Sequence, residues 1–445
     1  MLNDSTVHEV NRMAFLDEKF ETMPVDEIKA MQLKLLKELV ERTYRESKFY
    51  REKMDKAGVK PEDIQTLDDI RKLPMMVKTD LRDNYPDKLF VRPYEDLVRI
   101  HVSSGTTGKP TVVGYTQTDL DNWALSLQRG MVSFGASRKD VLQNAHGYGL
   151  FTGGIGVHEA ATKLGLTVIP ASTGNTNRQI DMLCDLPVTL FAGTPSYLFH
   201  IADVCDQKGI DIRRDTKLHM AISGGEPWSE SMRQKLYDRT GIKMYNCYGA
   251  SEFYGPMFLE CTEQNGFHIW GDLALIEILD EQGNPVKEGE RGAIVVTMLK
   301  KEAFPLIRYK IGDVSSLTWE KCKCGRTHPR LMRLSGRTDD MMVIRGVNVF
   351  PSQIETVIGE MPFLSTFYHL TVTNDNYMDH LLVEVELNEK YLTEDMNELN
   401  KMASTLDRRL KDILNIKAEV KLALPGTLPR FEGKAKHVTD NRSYE

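Results

Sequence analysis

The chain has 445 residues, of which 41% are hydrophobic and 27% are charged, and its formal net charge is −7 at pH 7. A chain of this length exceeds what one hydrophobic core usually supports, so two domains are expected. The negative charge argues against nucleic acid as a partner. No apolar run approaches the roughly 20 residues that cross a bilayer, so no membrane partner is predicted.

The N-terminus and the cysteines indicate a compartment. The first ten residues lack the basic and apolar regions of a signal peptide. Six cysteines in so long a chain do not resemble a disulfide framework. The predicted location is therefore the cytoplasm, and Cys184, Cys205 and Cys247 are expected to be small core residues.

Helical patterns appear early in the chain. Apolar residues recur at near-helical spacing over 26–57, which predicts a helix there. A second helix is expected to begin at Thr116, with Asp119 three residues on as its capping partner. Its buried face is predicted to consist of Leu120, Trp123, Leu127 and Met131.

Strand–turn–helix units follow. The apolar run 188–193 leads to Thr194 as N-cap and Pro195 as the first helical residue. A second run, 218–222, precedes two glycines and a helix near 229–239. Strands that alternate with helices predict α/β layers with mostly parallel pairing.

The pattern changes after residue 337. Two strands are predicted within 365–387, then a charged helix over 394–413 and a strand at 418–424. The predicted fold class is therefore α/β: a large N-terminal α/β domain with layered sheets, 1–337, and a small mobile α+β C-terminal domain, 338–445.

The segment 103–110 is a flexible loop rich in hydrogen-bond donors, directly after a strand-like run. Its first seven residues are Ser103, Ser104, Gly105, Thr106, Thr107, Gly108 and Lys109. Glycines let backbone N–H groups approach an anion, and hydroxyls and an ammonium add donors. The two glycines are too close for a Walker A loop, and Pro110 replaces its magnesium-binding hydroxyl. The segment predicts a different polyphosphate loop, with an ordinary surface turn as the alternative.

This loop resembles the phosphate loop of adenylate-forming enzymes, the superfamily of acyl-CoA synthetases, luciferases and peptide-synthetase adenylation domains. Later segments resemble that family's motifs in the same order: 224–227, 248–252, 308–313, 336–340 and 433–436. The amino-acid sequences of the segments 147–154 and 344–351 resemble those of the phenylacetate–CoA ligase branch.

The resemblance implies an enzyme that joins a carboxylic acid to the α-phosphate of ATP and releases pyrophosphate. The acyl group then passes to coenzyme A, and AMP is released. Because the reactants carry like charges, the site must neutralise and align them. The resemblance assigns Mg²⁺ to Glu252, and this hard cation suits carboxylate and phosphate oxygens.

The remaining ATP-site residues also follow from the resemblance. Those near the adenine and ribose are Gly225, Glu226, Pro227, Tyr248, Gly249, Ala250 and Ser251. Asp313 matches the position that binds both ribose hydroxyls. A carboxylate suits this role because it can accept two O–H hydrogen bonds. Arg337 matches the arginine near the ribose and α-phosphate.

The catalytic lysine of the family matches Lys434, which bridges the carboxylate and the α-phosphate during adenylation. A point charge on a long stem suits that role, and Lys436 is a rival assignment. Asp339 matches the hinge about which the small domain rotates. Rotation would bring Arg345 and Gly346 toward the CoA channel.

The acid pocket is expected, by resemblance, near one glycine-rich segment. Its residues are His146, Tyr148, Gly149, Phe151 and Gly153. Aromatic side chains beside glycines suit a flat slot for an aryl ring, with ordinary core packing as the alternative. Phenylacetate enzymes more often carry tyrosine at the position of His146, so the predicted substrate is an aromatic, phenylacetate-like acid.

A metal site is predicted from the residues themselves. Cys261 and His268 lie seven positions apart, and Cys322 and Cys324 form a Cys-x-Cys pair before Gly325. Three thiolates and one imidazole complete a tetrahedral zinc site, which would be structural because no position stays open. Two alternatives remain: His328 as the imidazole ligand, and reduced cysteines without metal.

Two other functions compete with the ligase. One is an adenylyltransferase that moves AMP to a deazaflavin cofactor. The other is a non-catalytic nucleotide-binding regulator, against which Lys434, Glu252 and Asp313 argue. The expected partners are a small carboxylic acid, ATP and CoA, and the resemblance also suggests a homodimer.

Overall fold

The computed structural model describes residues 15–102, 111–225, 228–337, 342–344, 347–375, 378–414, 416–430 and 437–442. The chain divides into two compact units. The first comprises Met1–Pro170, Tyr245–Ile311 and Ser316–Arg333, and the second comprises Ala171–Met244, Gly312–Ser315 and Leu334–Glu445. The domain limits 1–337 and 338–445 stay a prediction.

The described helices fall into two groups. The α-helices, α1 to α12 in chain order, are Glu18–Glu21, Val25–Glu46, Lys48–Ala57, Lys78–Asp83, Gln117–Ser133, Thr152–Leu164, Thr176–Asp185, Pro195–Gln207, Ile212–Asp215, Glu230–Thr240, Pro351–Gly359 and Met396–Leu414. Short 3₁₀ helices span Pro61–Asp63, Leu67–Lys72, Tyr94–Asp96 and Glu389–Tyr391.

The strands are short in the first half of the chain and longer toward its end. In chain order, β1 to β21 are Arg99–Val102, Val112–Tyr115, Val141–Asn144, Thr167–Ile169, Leu190–Gly193, Met220–Gly224, Lys243–Ala250, Gly255–Leu259, Phe267–His268, Ala274–Leu279, Gly292–Met298, Leu306–Ser315, Leu317–Thr318, Arg330–Leu331, Gly336–Arg337, Met342–Ile344, Val347–Val349, Leu364–Asp375, Met378–Leu387, Glu419–Ala423 and Val438–Asp440.

Most local predictions for the helices are confirmed. Thr116 caps α5 and forms a capping box with Asp119, and the predicted apolar face of α5 is buried. Thr194 caps α8, which begins with Pro195. The predicted single helix over 26–57 is wrong: α2 and α3 are separate, because Ser47 is extended and its hydroxyl accepts the N–H of Tyr50 as an N-cap.

In the first unit, β3 and β4 pair in parallel and α6 joins them, as a crossover connection requires. The other pairs are antiparallel: β1 with β2, β7 with β8, β10 with β11, and the short strands β13, β14 and β9. The parallel pairing that was predicted from alternating strands and helices is therefore found where a helix lies between two strands in the sequence.

In the second unit, β5 and β6 pair in parallel, with α8 and α9 between them in sequence. The C-terminal sheet has the order β20-β19-β18-β21. Its apolar face packs with α11 and α12 around buried residues such as Ile354, Leu370, Val383 and Leu410. The mixed α/β fold class is confirmed, and no described helix has the length and apolarity that a membrane crossing requires.

Cys184 corrects one expectation. Cys205 and Cys247 are buried, but Cys184 is exposed. In α7 the buried positions include Ile180 and Leu183. Cys184 is rotated by about 100° from Leu183 and by about 40° from Ile180, on the side of Ile180 opposite Leu183, so it lies at the edge of the buried face, where it is exposed.

His328 is a fully buried histidine whose two ring nitrogens are both used. Its Nδ1 accepts the N–H of Gly271 at 3.1 Å, and its Nε2 donates to the carbonyl of Phe20 at 2.9 Å. An imidazolium has no acceptor, so protonation would break the bond from Gly271. Burial lowers the pKa of His328 to about 4.

We expect His328 to make stability depend on pH. The pKa of His328 in the unfolded chain is about 6.5, above its value in the folded protein, so the unfolded chain binds the proton first. Its stabilising contribution is complete above about pH 6.5 and declines toward pH 4. The difference in Tm between wild type and His328→Gln should therefore narrow from pH 7 to pH 5. A constant difference would contradict this, and exposed His219→Gln is the control.

The start of α6 packs closely against the preceding turn. A Cβ at Gly154 would lie 2.4 Å from the carbonyl oxygen of Gly147, whereas a Cβ at Gly153 would meet nothing closer than the ring of His146 at 3.7 Å. The two adjacent glycines thus differ in the space around them. Only Gly154 is required for the backbone approach.

These glycines predict opposite effects of alanine. Gly154→Ala should destabilise the protein by about 2 kcal/mol through overpacking. Gly153→Ala should be neutral or stabilising by up to about 1 kcal/mol, because alanine favours a helix over glycine. Urea denaturation of both variants measures the free energy of unfolding. Equal effects would show that the close contact at Gly154 is easily relieved.

Candidate functional site

Several predicted site residues lie outside the described residues. They are the phosphate loop 103–109, Glu226, Pro227, the hinge Asp339, the CoA-channel residues Arg345 and Gly346, and the catalytic Lys434. Their roles stay predictions. The structure describes five sets of predicted site residues: the turn that carries Glu252, Tyr248 and Gly225, the pair Asp313 and Arg337, the predicted acid pocket, and the Cys/His cluster.

Glu252 lies in the turn 251–254 between the antiparallel strands β7 and β8. The carboxylate is half-buried, and its Oε1 accepts a long hydrogen bond of 3.4 Å from the hydroxyl of Tyr309. Tyr248, Gly249, Ala250 and Ser251 precede it, so five predicted nucleotide-site residues are contiguous here. A carboxylate at the end of a strand, partly open to solvent, is suited to a hard cation.

Tyr248 and Gly225 are two further described residues that are predicted to lie near the adenine and ribose. The Tyr248 ring is buried and lies in an aromatic cluster, with ring centroids 5.8 Å from Phe267 and 6.3 Å from Phe253. Gly225 has φ +85° at the end of β6. The contact of Tyr248 with the adenine stays a prediction.

Asp313 and Arg337 are brought together by the second unit. They are register partners on the antiparallel strands β12 and β15. Asp313 is 4% exposed. The ladder therefore places the backbones of two residues that are 24 positions apart in sequence opposite each other, and both residues are predicted to lie near the ribose.

The predicted acid pocket contains a hydrogen-bond network that the sequence analysis did not identify. Asn144, fully buried at the end of β3, donates to the Tyr148 hydroxyl at 2.8 Å and to the carbonyl of Gly154 at 2.7 Å. The Tyr148 hydroxyl lies 3.1 Å from Nδ1 of His158. Asn144, Tyr148 and His158 are thus joined through the Tyr148 hydroxyl in one hydrogen-bond network.

The predicted pocket residues do not all join this network. His146 is linked to it through its backbone N–H, which donates to Oδ1 of Asn144, and its ring lies next to Gly153. Phe151 is 55% exposed, and Gly149 is also exposed. The only signals for Asn144 and His158 were a polar residue ending an apolar strand and a histidine within α6.

His146 and Tyr148 are both neutral at pH 7. Burial lowers the pKa of His146 to about 4. Burial raises the pKa of Tyr148 to about 12, although the hydrogen bond from Asn144 opposes the shift. Neither side chain would bring a charge to an apolar group bound beside it.

The Cys/His cluster is assembled as the spacing predicts. Ligand atoms of Cys261, His268, Cys322 and Cys324 all lie within 4.8 Å of one another, and all four residues are buried. Cys322 and Cys324 sit in a turn that Gly325 closes with φ +86°, its N–H donating to the carbonyl of Cys322.

The cluster distances match the edges of a tetrahedral zinc site. Sγ of Cys261 and Sγ of Cys322 are 3.7 Å apart, and Sγ of Cys324 is 3.4 Å from Nε2 of His268. Zinc bonds of about 2.3 Å to sulfur and about 2.0 Å to nitrogen give edges of about 3.8 and 3.5 Å. A disulfide needs about 2.05 Å between sulfurs, so no such bond is present.

The competing ligand His328 is not part of the cluster, because Gly271 and Phe20 occupy its nitrogens. Among the described residues, the cluster instead contains His268, whose ring stacks on Trp270 at 6.0 Å. Hydrogen bonds from the thiols of Cys261 and Cys322 hold the pKa of Cys324 well below its usual range. The donor set, sulfur-rich and buried, fits zinc.

Comparisons with known proteins agree with the motifs. The AMP-binding enzyme model matches residues 20–298, and the model for the AMP-binding enzyme C-terminal domain matches residues 346–442. The chain is 41% identical to phenylacetate-coenzyme A ligase of Thermus thermophilus over 440 residues, which cover 95% of this chain and 99% of that protein. The chain is 43% identical to the phenylacetate-coenzyme A ligase of Escherichia coli over 426 residues, which cover 95% of this chain and 97% of that protein.

A solved structure agrees with the sequence relatives. The crystal structure of 2-hydroxyisobutyryl-CoA ligase in the postadenylation state, in complex with 2-HIB-AMP, superposes with a TM-score of 0.91 at 27% identity. The match covers 99% of this chain and 95% of the other. The separate C-terminal domain that the sequence predicts is thereby confirmed.

The adenylyltransferase and the non-catalytic regulator are not favoured, because both relatives are CoA ligases and each match covers nearly the whole length of both chains. The use of ATP and CoA is likewise supported. The predicted resemblance is confirmed: the chain belongs to the AMP-binding enzyme family of adenylate-forming enzymes, and it is an AMP-forming acid–CoA ligase.

Proposed function

We propose that this ligase acts on an aromatic, phenylacetate-like acid. The observation that carries the proposal is the identity of 40 to 43% to four curated phenylacetate-coenzyme A ligases, each matched over at least 95% of this chain. The neutral side chains of His146 and Tyr148 also support it, because an aryl group binds best where no charge is left unpaired.

The first half-reaction needs groups that offset negative charge. The attacking carboxylate and the triphosphate repel each other, and a site that neutralises both lowers the barrier. In our proposal the phosphate loop 103–109 holds the β- and γ-phosphates, and Lys434 bridges the carboxylate and the α-phosphate. Asp313 accepts the ribose hydroxyls, and Arg337 lies near the α-phosphate.

Magnesium is assigned to Glu252. The half-buried carboxylate offers one oxygen that Tyr309 contacts and a second oxygen for a cation. A bound Mg²⁺ would offset the charge of the phosphate oxygens. In the second half-reaction the small domain, 338–445, rotates about Asp339, and Arg345 and Gly346 line the CoA channel.

We also propose that Cys261, His268, Cys322 and Cys324 bind a structural zinc ion. The donor set, its burial and its tetrahedral edges support this assignment. The turn that carries Cys322 and Cys324 continues into Arg326, which forms a buried ion pair with Glu21 near the N-terminus at 2.7 Å. Zinc would therefore stabilise the attachment of the N-terminal segment.

The oligomeric state and the location are also proposals. A homodimer is proposed from the resemblance alone, since the described residues identify no interface. A cytoplasmic location is proposed from the composition and from the bacterial relatives.

The substrate is tested by pyrophosphate release from ATP and Mg²⁺ with aryl and aliphatic acids, with and without CoA. We expect release that depends on an arylacetic acid, and a thioester only when CoA is present. Lys434→Ala should slow release by about 100-fold or more, whereas Lys436→Ala should not. A preference for an aliphatic acid would contradict the aromatic assignment, and the reverse result for the two lysines would move the catalytic role to Lys436.

The zinc ion is tested by metal analysis of protein purified without chelators. We expect about one zinc per chain, lost in Cys322→Ser but retained in the control Cys205→Ser. Removal of zinc should lower Tm by more than about 5 °C and should expose the segment near Glu21 to proteolysis. Zinc-free protein with unchanged Tm after expression in zinc-supplemented medium would contradict the proposal.

A further inference from the structure

The turn that carries Glu252 is held by side chains from two distant segments. One is Tyr115, the last residue of β2, which is fully buried. Its hydroxyl lies 3.2 Å from the carbonyl oxygen of Ser251 and 2.9 Å from that of Tyr254, and it shares its proton between them. The first and last carbonyls of the turn are thus tied to the same side chain.

The other side chain is Lys301, a lysine with no exposed surface. Its Nζ donates to the carbonyl oxygen of Glu252 at 2.6 Å and also to that of Phe253. Together, Lys301 and Tyr115 engage all four consecutive carbonyls of the turn. Within the turn, the N–H of Phe253 also bonds the carbonyl of Ala250 at 3.0 Å.

The surroundings of Lys301 compensate for burying an ammonium group. Its Nζ lies 5.3 Å from the ring centroids of Tyr115 and Tyr254 and 5.1 Å from that of Phe304, within cation–π range. Burial lowers the pKa of Lys301 to about 7, while the charges of Asp119 and Glu252 raise it. The neutral amine keeps two N–H groups, enough for both carbonyls, so the turn is held in either protonation state.

A magnesium ligand needs this kind of restraint. Mg²⁺ demands near-ideal octahedral geometry, so a carboxylate that swings with its backbone binds it poorly. When the carbonyls on both sides of Glu252 are held, the direction of its Cα–Cβ bond is determined. The hydroxyl of Tyr309 then contacts the carboxylate itself.

We propose that Lys301 and Tyr115 are positioning residues that orient Glu252 toward Mg²⁺ by holding the backbone of the turn 251–254. This inference rests on the proposed role of Glu252. Neither residue touches the substrate or the metal, and both act through Glu252. Groups that orient a metal ligand typically matter by about 10- to 100-fold in metal affinity or activity.

The test measures ATP binding to the full chain by calorimetry, with MgCl₂ and with EDTA, together with Tm. The variants are Lys301→Met, which keeps the stem and removes the donors, and Tyr115→Phe, which removes one hydroxyl. The matched control is Lys300→Met, since Lys300 is adjacent, 37% exposed, and paired with Asp272 instead. Glu252→Gln reports on the proposed ligand itself.

We expect Mg²⁺ to strengthen ATP binding in wild type and in Lys300→Met, and this gain to fall about tenfold or more in Lys301→Met and Glu252→Gln. In Tyr115→Phe the gain in ATP affinity from Mg²⁺ should fall by less. If Lys301→Met does not fold, Tyr115→Phe tests the inference instead. A lower Tm with an unchanged gain would mean a merely structural role and would overturn the inference. If Mg²⁺ strengthens ATP binding equally in Glu252→Gln, or does not strengthen it in wild type, the assignment of Mg²⁺ to Glu252 is overturned. The inference about Lys301 and Tyr115 then fails with it.

Discussion

One buried carboxylate, Asp119, connects the segments on which the proposed nucleotide site depends. It has no exposed surface, and it accepts N–H groups from Thr116, Glu302 and Ala303 at 2.8–3.0 Å. A buried carboxylate without partners would cost several kcal/mol, so these bonds are required. They join the beginning of α5 to the loop that carries Lys301.

The hydrogen bonds of Asp119 also determine the positions of Tyr115 and Lys301, the two residues that hold the turn 251–254. Tyr115 directly precedes the cap of α5, and Lys301 directly precedes the residues that Asp119 holds. The negative charge of Asp119 also favours the ammonium of Lys301. A capping interaction that stabilises one helix thus also places the two side chains that hold the backbone of Glu252.

The Cys/His cluster and the N-terminal segment show a similar dependence. Glu21 is fully buried: one carboxylate oxygen accepts from Arg326, and the other accepts the backbone N–H groups of Leu16 and Asp17. Thr327 adds a bond of 2.6 Å to the carbonyl of Met23. Residues just after the Cys-x-Cys pair therefore satisfy backbone groups near the N-terminus, and the order of one segment supports the other.

Much of this protein follows from contiguous residues. The capping box of α5, the Thr194 cap of α8, the α/β class and the strands β18, β19 and β20 were predictable, because caps and periodicity act over a few neighbouring positions. The fourth strand of the C-terminal sheet, β21, was not predicted. The order of the motifs was enough to identify the family. Local preference did not predict the break at Ser47, since several helix-favouring residues surround one residue that favours a cap.

Only the tertiary structure decided which distant groups meet. It selected His268 over His328 as the fourth member of the cysteine cluster, and it placed Cys184 on the surface. It also brought Lys301 to a carbonyl 49 residues away in sequence. A lysine in a loop carries no local sign that it is buried, because its burial depends on partners from other segments that fold to surround it.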